Sequence, residues 1–143
     1  MFEEKETLER SVAARLRYQM QRTKTSIPKL AKAAGCSKDV IQEYSKGKVL
    51  EKHMNITWLK RMAEYFGLDP YYFCTEYHVF IDTKDVPILL KRLREKEGGS
   101  QREFAKKKEI SLNIYKSYES GRARISESFW RQIKKELEEV MEP

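Results

Sequence analysis

The chain has 143 residues, 40% of them hydrophobic and 11% aromatic, with 29 Lys+Arg against 22 Asp+Glu and a net charge of +7. That is room for one ordinary domain or two small ones, and the apolar share excludes a disordered chain. No run reaches the ~18 apolar residues of a membrane helix, and the opening MFEEKETLER has no apolar core of a signal peptide, so no membrane partner is expected.

In chain order, residues 3–23 are expected as one helix. Val12, Leu16 and Met20 recur at helical spacing, and Glu3, Glu4 and Glu6 suit the positive end of its dipole. Ser26 caps a second helix with Pro28 in its first turn and Leu30, Ala31 and Ala34 facing inward, and Gly35 stops it. Ser37 starts a third, KDVIQEYSK, with Val40, Ile41 and Tyr44 inward and Gly47 at its end. Lys48 to Met54 reads as a loop. Asn55 then caps a fourth helix with Leu59, Met62, Ala63 and Phe66 as its stripe, and Asp69-Pro70 begins a turn. An aromatic patch at Tyr71, Tyr72, Phe73 and Tyr77, if exposed, would suit a contact surface.

Residues 76–82, EYHVFID, alternate in the manner of a short strand or an extended linker, and the linker is favoured. Asp85 to Lys96 opens a second run of helices, shorter than its counterpart, with Leu89, Leu90 and Leu93 inward. Ser100 with Glu103 forms a capping box, Phe104 and Ala105 face inward, Ser111 caps LNIYKSYES, and Gly121 ends it. Ser126 caps a last helix with Phe129, Trp130, Ile133 and Leu137 inward and an acidic tail after Lys135.

The second run restates the first at an offset of 74 positions. Ser26, Ala31, Ser37, Tyr44 and Gly47 recur as Ser100, Ala105, Ser111, Tyr118 and Gly121, while Leu30/Phe104, Val40/Ile114 and Lys48/Arg122 match in kind. Glu109 stands where Gly35 stood, so that turn must be built differently or carry strain. Two short helices joined by a tight turn, written twice, predict an all-α chain. The expected domains are 1–75 and 85–143, with 76–84 as linker. Basic residues lie in both: 14 Lys+Arg against 9 Asp+Glu through Thr75, and 15 against 13 beyond it. Such an excess favours a polyanionic partner.

Both halves resemble the lambda-repressor-like (Cro/repressor, or XRE) helix-turn-helix family, whose motif is T-Q-x-x-L-A-x-x-x-G-x-S-x-x-x-I-x-x-x-E-x-G-K/R. The second half supplies Ser100, Gln101, Phe104, Ala105, Ser111, Tyr115, Glu119, Gly121 and Arg122, departing at Glu109. The first supplies Ser26, Leu30, Ala31, Gly35, Ser37, Ile41, Gly47 and Lys48, departing at Ile27 and Ser45. The resemblance implies two tandem helix-turn-helix domains of four to five helices each, joined by a short aromatic linker. It implies sequence-specific binding of double-stranded DNA by a repressor-like transcriptional regulator that is cytoplasmic and nucleoid-associated and dimerises as family members commonly do.

The residues carried over as base readers are Lys38, Asp39, Gln42 and Glu43, and Leu112, Asn113, Lys116 and Ser117. Lys38 would donate to guanine, Asn113 would pair with adenine, and Leu112 would touch a thymine methyl. The phosphate clamps carried over are Ser26, Ser37, Lys46 and Lys48, with Gln101, Ser111, Arg122 and Arg124. The serines are helix caps whatever else they do. Tyr44, Tyr118, Trp58 and Trp130 read as packing residues. Asp39 and Glu43 repel phosphates, which favours a competing reading: an adaptor in which one unit binds a protein partner.

An enzyme is not expected, because no Ser/His/Asp set, phosphate-cradling Gly loop or framed carboxylate pair is present. Cys36 and Cys74 have no metal-ligand spacing and fit packing in a reducing cytosol, and His53 and His78 stand alone. No metal or cofactor is expected.

Overall fold

The computed structural model describes residues 11–141, and among these every regular element is helical. The chain divides into two units, residues 1–79 and 80–143. No helix among the described residues is long and apolar enough to cross a membrane.

The first described helix of unit 1 is α1 (Val12–Thr23), capped by the Ser11 hydroxyl, which accepts the Ala14 N–H. Ser11 has extended backbone, so the expected single helix over 3–23 is corrected to one that starts at Val12 within the described residues. Its acidic start, Glu3 to Glu6, lies outside the described residues. α2 (Ile27–Ala34) and α3 (Lys38–Ser45) follow, each with its serine cap in place: Ser26 accepts from Lys29 N–H and Ser37 from Val40 N–H, both at 3.3 Å. Gly35 adopts φ +77°, which lets the Gly35 and Cys36 N–H groups both close on the Ala31 carbonyl.

A single 3₁₀ turn (Glu51–His53) interrupts the expected loop before α4 (Ile56–Tyr65), which Asn55 caps. α1 packs on α3, and α2 packs on both α3 and α4. The core is Val12, Leu16, Leu30, Ala34, Ile41, Met54, Leu59, Met62 and Phe73. Tyr44 is buried, and its hydroxyl accepts the Asn55 N–H at 2.9 Å, pinning the start of α4 to the end of α3. The aromatic patch is not an exposed surface: Phe73 and Tyr77 are buried and Tyr71 and Tyr72 half-buried, with Phe73 edge-on to both Phe66 and Tyr72.

Residues 76–83 correct the sequence reading, because they form a helix, α5 (Glu76–Thr83), rather than a strand or extended linker. The local cause is a reciprocal cap. Thr75 Oγ1 accepts the His78 N–H at 3.2 Å, and His78 Nδ1 accepts the Thr75 N–H at 3.3 Å. A histidine thereby takes the part that Glu or Gln takes in the usual capping box.

Unit 2 is built from α6 (Val86–Glu97), α7 (Gln101–Lys107), α8 (Leu112–Glu119) and α9 (Glu127–Met141). α6 has 12 residues, as does α1, so the expected shortening is not observed. Ser100, Ser111 and Ser126 cap the helices they precede. α6 packs on α8 and α9, and α7 on α8, around Leu90, Leu93, Phe104, Tyr115, Trp130, Ile133 and Leu137. Tyr118 is half-buried and stacks on Phe129 with ring centroids 5.5 Å apart.

The turn between α7 and α8 answers the question that Glu109 raised. It has the same left-handed geometry as the Gly35 turn, with φ +60° at Glu109 and the Ile110 N–H closing on the Ala105 carbonyl at 3.0 Å. The strain is carried rather than avoided. Beside it, Lys108 occupies the place of Ala34 and is itself buried. Its Nζ lies 3.1 Å from Glu97 and 2.7 Å from Glu136 and stands over the Phe104 ring. In each unit a side chain of a later helix donates to the carbonyl just before the left-handed residue: Arg61 to Ala34 at 3.2 Å, and Gln132 to Lys108 at 3.2 Å.

Candidate nucleic-acid interface

Two outward helices are candidates, α3 and α8. On α3, Lys38, Asp39, Gln42 and Glu43 are all exposed. Asp39, Gln42, Glu43, Lys46 and Lys48 line one shallow hollow of about 130 Å³. The structure thus brings five of the expected residues of unit 1 together, but with two carboxylates among two ammonium groups. Ser26 and Ser37 are exposed, with their hydroxyls engaged as caps.

On α8, Asn113 and Lys116 are exposed, and Leu112 is half-buried. Ser117 is half-buried too, and its hydroxyl donates to the Ile114 carbonyl at 2.7 Å. Beyond the helix, Gly121 takes φ +80°, and Arg122 and Arg124 follow on the surface. The Ala123 N–H closes back on the Ser117 carbonyl, fixing the segment that carries both arginines. The exposed face of α8 and its sequel therefore carries only positive charge among its ionised groups.

Gln101, expected as a phosphate clamp, is half-buried, and its amide donates to Glu119 at 3.2 Å. Glu119 is the centre of a network that ties α6, α7 and α8 together. Arg94 grips it with two parallel bonds, Nε at 3.0 Å and Nη2 at 2.9 Å, and reaches the Gly99 carbonyl with Nη1. The Tyr115 hydroxyl donates to the same carboxylate. Burial alone would raise the Glu119 pKa, but the bonds from Arg94, Tyr115 and Gln101 outweigh it and hold the carboxyl below the usual glutamate range. Burial, and then the bond to Glu119, push the Tyr115 hydroxyl upward.

Residues 90–138 match the helix-turn-helix family model. The match runs from the middle of α6 to near the end of α9, and it supports a lambda-repressor-like helix-turn-helix in unit 2. No curated protein and no solved structure matches the chain.

At the same 74-residue offset, unit 1 has Met20, Ile27, Ile41 and Ser45 where unit 2 has Arg94, Gln101, Tyr115 and Glu119. Every member of the polar network is replaced at once. In its stead Arg17 donates to the Ser45 carbonyl across α1 and α3. Sequence reasoning registers the departures at Ile27 and Ser45 singly. It misses that the other two positions change with them, although aligning α1 with α6 pairs Met20 with Arg94. It also groups Ile114 with half-buried Val40, whereas Ile114 is 47% exposed.

Proposed function

We propose that the protein is a sequence-specific double-stranded DNA-binding transcriptional regulator of the repressor type, with α8 of unit 2 as its principal reading helix. The observation that carries this reading is the surface of α8 within the matched stretch: Asn113 and Lys116 outward, with Arg122 and Arg124 just past the helix end. A helix so presented fits the major groove, where asparagine pairs with adenine and lysine with guanine. The arginines and the capped N-terminus of α8 at Ser111 suit flanking phosphates. Gln101, held by Glu119, is positioned rather than free to swing.

In unit 1, Lys38, Gln42, Lys46 and Lys48, with Ser26 and Ser37, form a second and weaker DNA-facing set, arranged as the tandem copy of the first. A second reading has its own observation, the exposed carboxylates of Asp39 and Glu43 on α3, which suit a basic protein partner better than phosphate. Charge reversal at both separates the two readings. If α3 faces DNA, Asp39→Lys with Glu43→Lys tightens DNA binding. If it is an adaptor surface, DNA affinity is unmoved and partner capture is lost.

Band-shift titration against salt tests the main reading. The affinity is expected to fall steeply with salt. Arg122→Gln with Arg124→Gln is expected to make the log–log slope shallower by about 2, since each neutralised phosphate adds ~0.9 to it. Binding with no sequence preference and a flat salt response overturns the proposal.

A further inference from the structure

α8 has an outward residue that its motif does not explain. Ile114 is 47% exposed, although it follows Asn113 directly and lies one turn before Ser117. Its counterpart Val40 packs partly against the unit 1 core. In unit 2 the neighbouring inner position holds Tyr115, fully buried against Phe104 at 4.9 Å between centroids, and Ile114 stays outside that core. A β-branched residue on a solvent face gives a helix no intrinsic advantage. Meanwhile the Ser117 hydroxyl donates its proton to the Ile114 carbonyl and has none left to give outward. The outward surface at the start of α8 is therefore one amide, one ammonium and an apolar side chain.

We infer that Ile114 is a base-reading residue that contacts the methyl group of a thymine next to the base pair read by Asn113. The thymine methyl is the one apolar group among the four bases on the floor of the major groove, and it is the edge an isoleucine side chain can recognise. This rests on the DNA-binding reading above and adds a residue to it.

The test uses the full chain and sites selected from a random DNA pool. Each thymine of the selected site is replaced in turn by deoxyuridine, which removes the methyl and keeps the pairing. At one thymine the wild type is expected to lose about fourfold in affinity, the worth of one buried methyl. Ile114→Ala is expected to lose at least as much on the unmodified site and to be indifferent to that deoxyuridine. Its far-UV helix signal and melting are expected to stay as in the wild type, because the side chain is exposed. A wild type indifferent to deoxyuridine at every thymine overturns the inference. So does an Ile114→Ala variant that keeps the full deoxyuridine loss, or a loss that disappears with Leu112→Ala instead. In those cases the selected site itself still stands, and DNA binding with it. Failure of the pool to yield any preferred sequence overturns both readings.

Discussion

Glu119→Ser is expected to destabilise unit 2 by about 3 kcal/mol, more than the fourfold change that converts Arg94, Gln101, Tyr115 and Glu119 to Met, Ile, Ile and Ser. The single change removes the acceptor that three side chains share. Arg94 loses both parallel bonds with its side chain only 18% exposed and keeps the Gly99 carbonyl, the Gln101 amide loses its bond, and the Tyr115 hydroxyl is left with the more distant Leu90 carbonyl at 3.5 Å. The fourfold change removes the donors together with the acceptor and installs the residues that unit 1 uses at the same places. Hydrogen exchange of the α6 to α9 amides in the whole chain reads the effect without interference from unit 1. A fourfold variant less stable than the single one would show that the network stabilises in its own right.

The same carboxylate sets a pH dependence. Its pKa is lowered in the folded state, so its stabilising contribution is complete above the ordinary glutamate pKa of ~4.3 and is lost as pH falls through the folded value. Glu119→Ser is therefore expected to flatten the acid limb of the stability curve of unit 2, leaving the neutral plateau lower. Unit 1 has a serine there and lacks this contribution.

The second large effect is at the paired left-handed turns, where the signs oppose. Gly35→Ala is expected to cost about 2 kcal/mol. A Cβ at φ +77° is strained by ~1–2 kcal/mol, and it would lie 2.8 Å from Arg61 Nη1. Arg61 is flexible enough to yield, but in yielding it gives up its bond to the Ala34 carbonyl. Glu109→Gly is expected to gain about 0.5–1 kcal/mol by relieving the same strain at φ +60°, part of the relief being offset by the greater freedom of glycine in the unfolded chain. Thermal melts of the two variants check both; a loss at Glu109→Gly would mean that the Glu109 side chain stabilises the turn in a way its backbone strain conceals.

The helices of both units are largely legible in the sequence because their starts are written locally. A serine or asparagine stands before nearly every apolar stripe, and its side chain bonds three residues on. α5 is not legible. Tyr77, Val79 and Ile81 fit a period of two as well as a short helix, and the deciding cap is a threonine answered by a histidine. The exposed candidates on α3 and α8 follow from their place after the caps. Which polar residues turn inward does not follow. Lys108 looks like a surface lysine until Glu97 and Glu136 arrive from two other helices. The role of Arg94 depends on α6 lying against α8.

The two units fill the corresponding positions differently, without an ion pair in unit 1 and with one in unit 2, and a mutational valley is expected between them. A chain moving from one to the other a residue at a time must pass through forms with an unmatched guanidinium or carboxylate, poorer than either end. Grafting between the halves is therefore expected to need all four positions exchanged as a block, and a consensus sequence averaged over the two would mix unmatched partners.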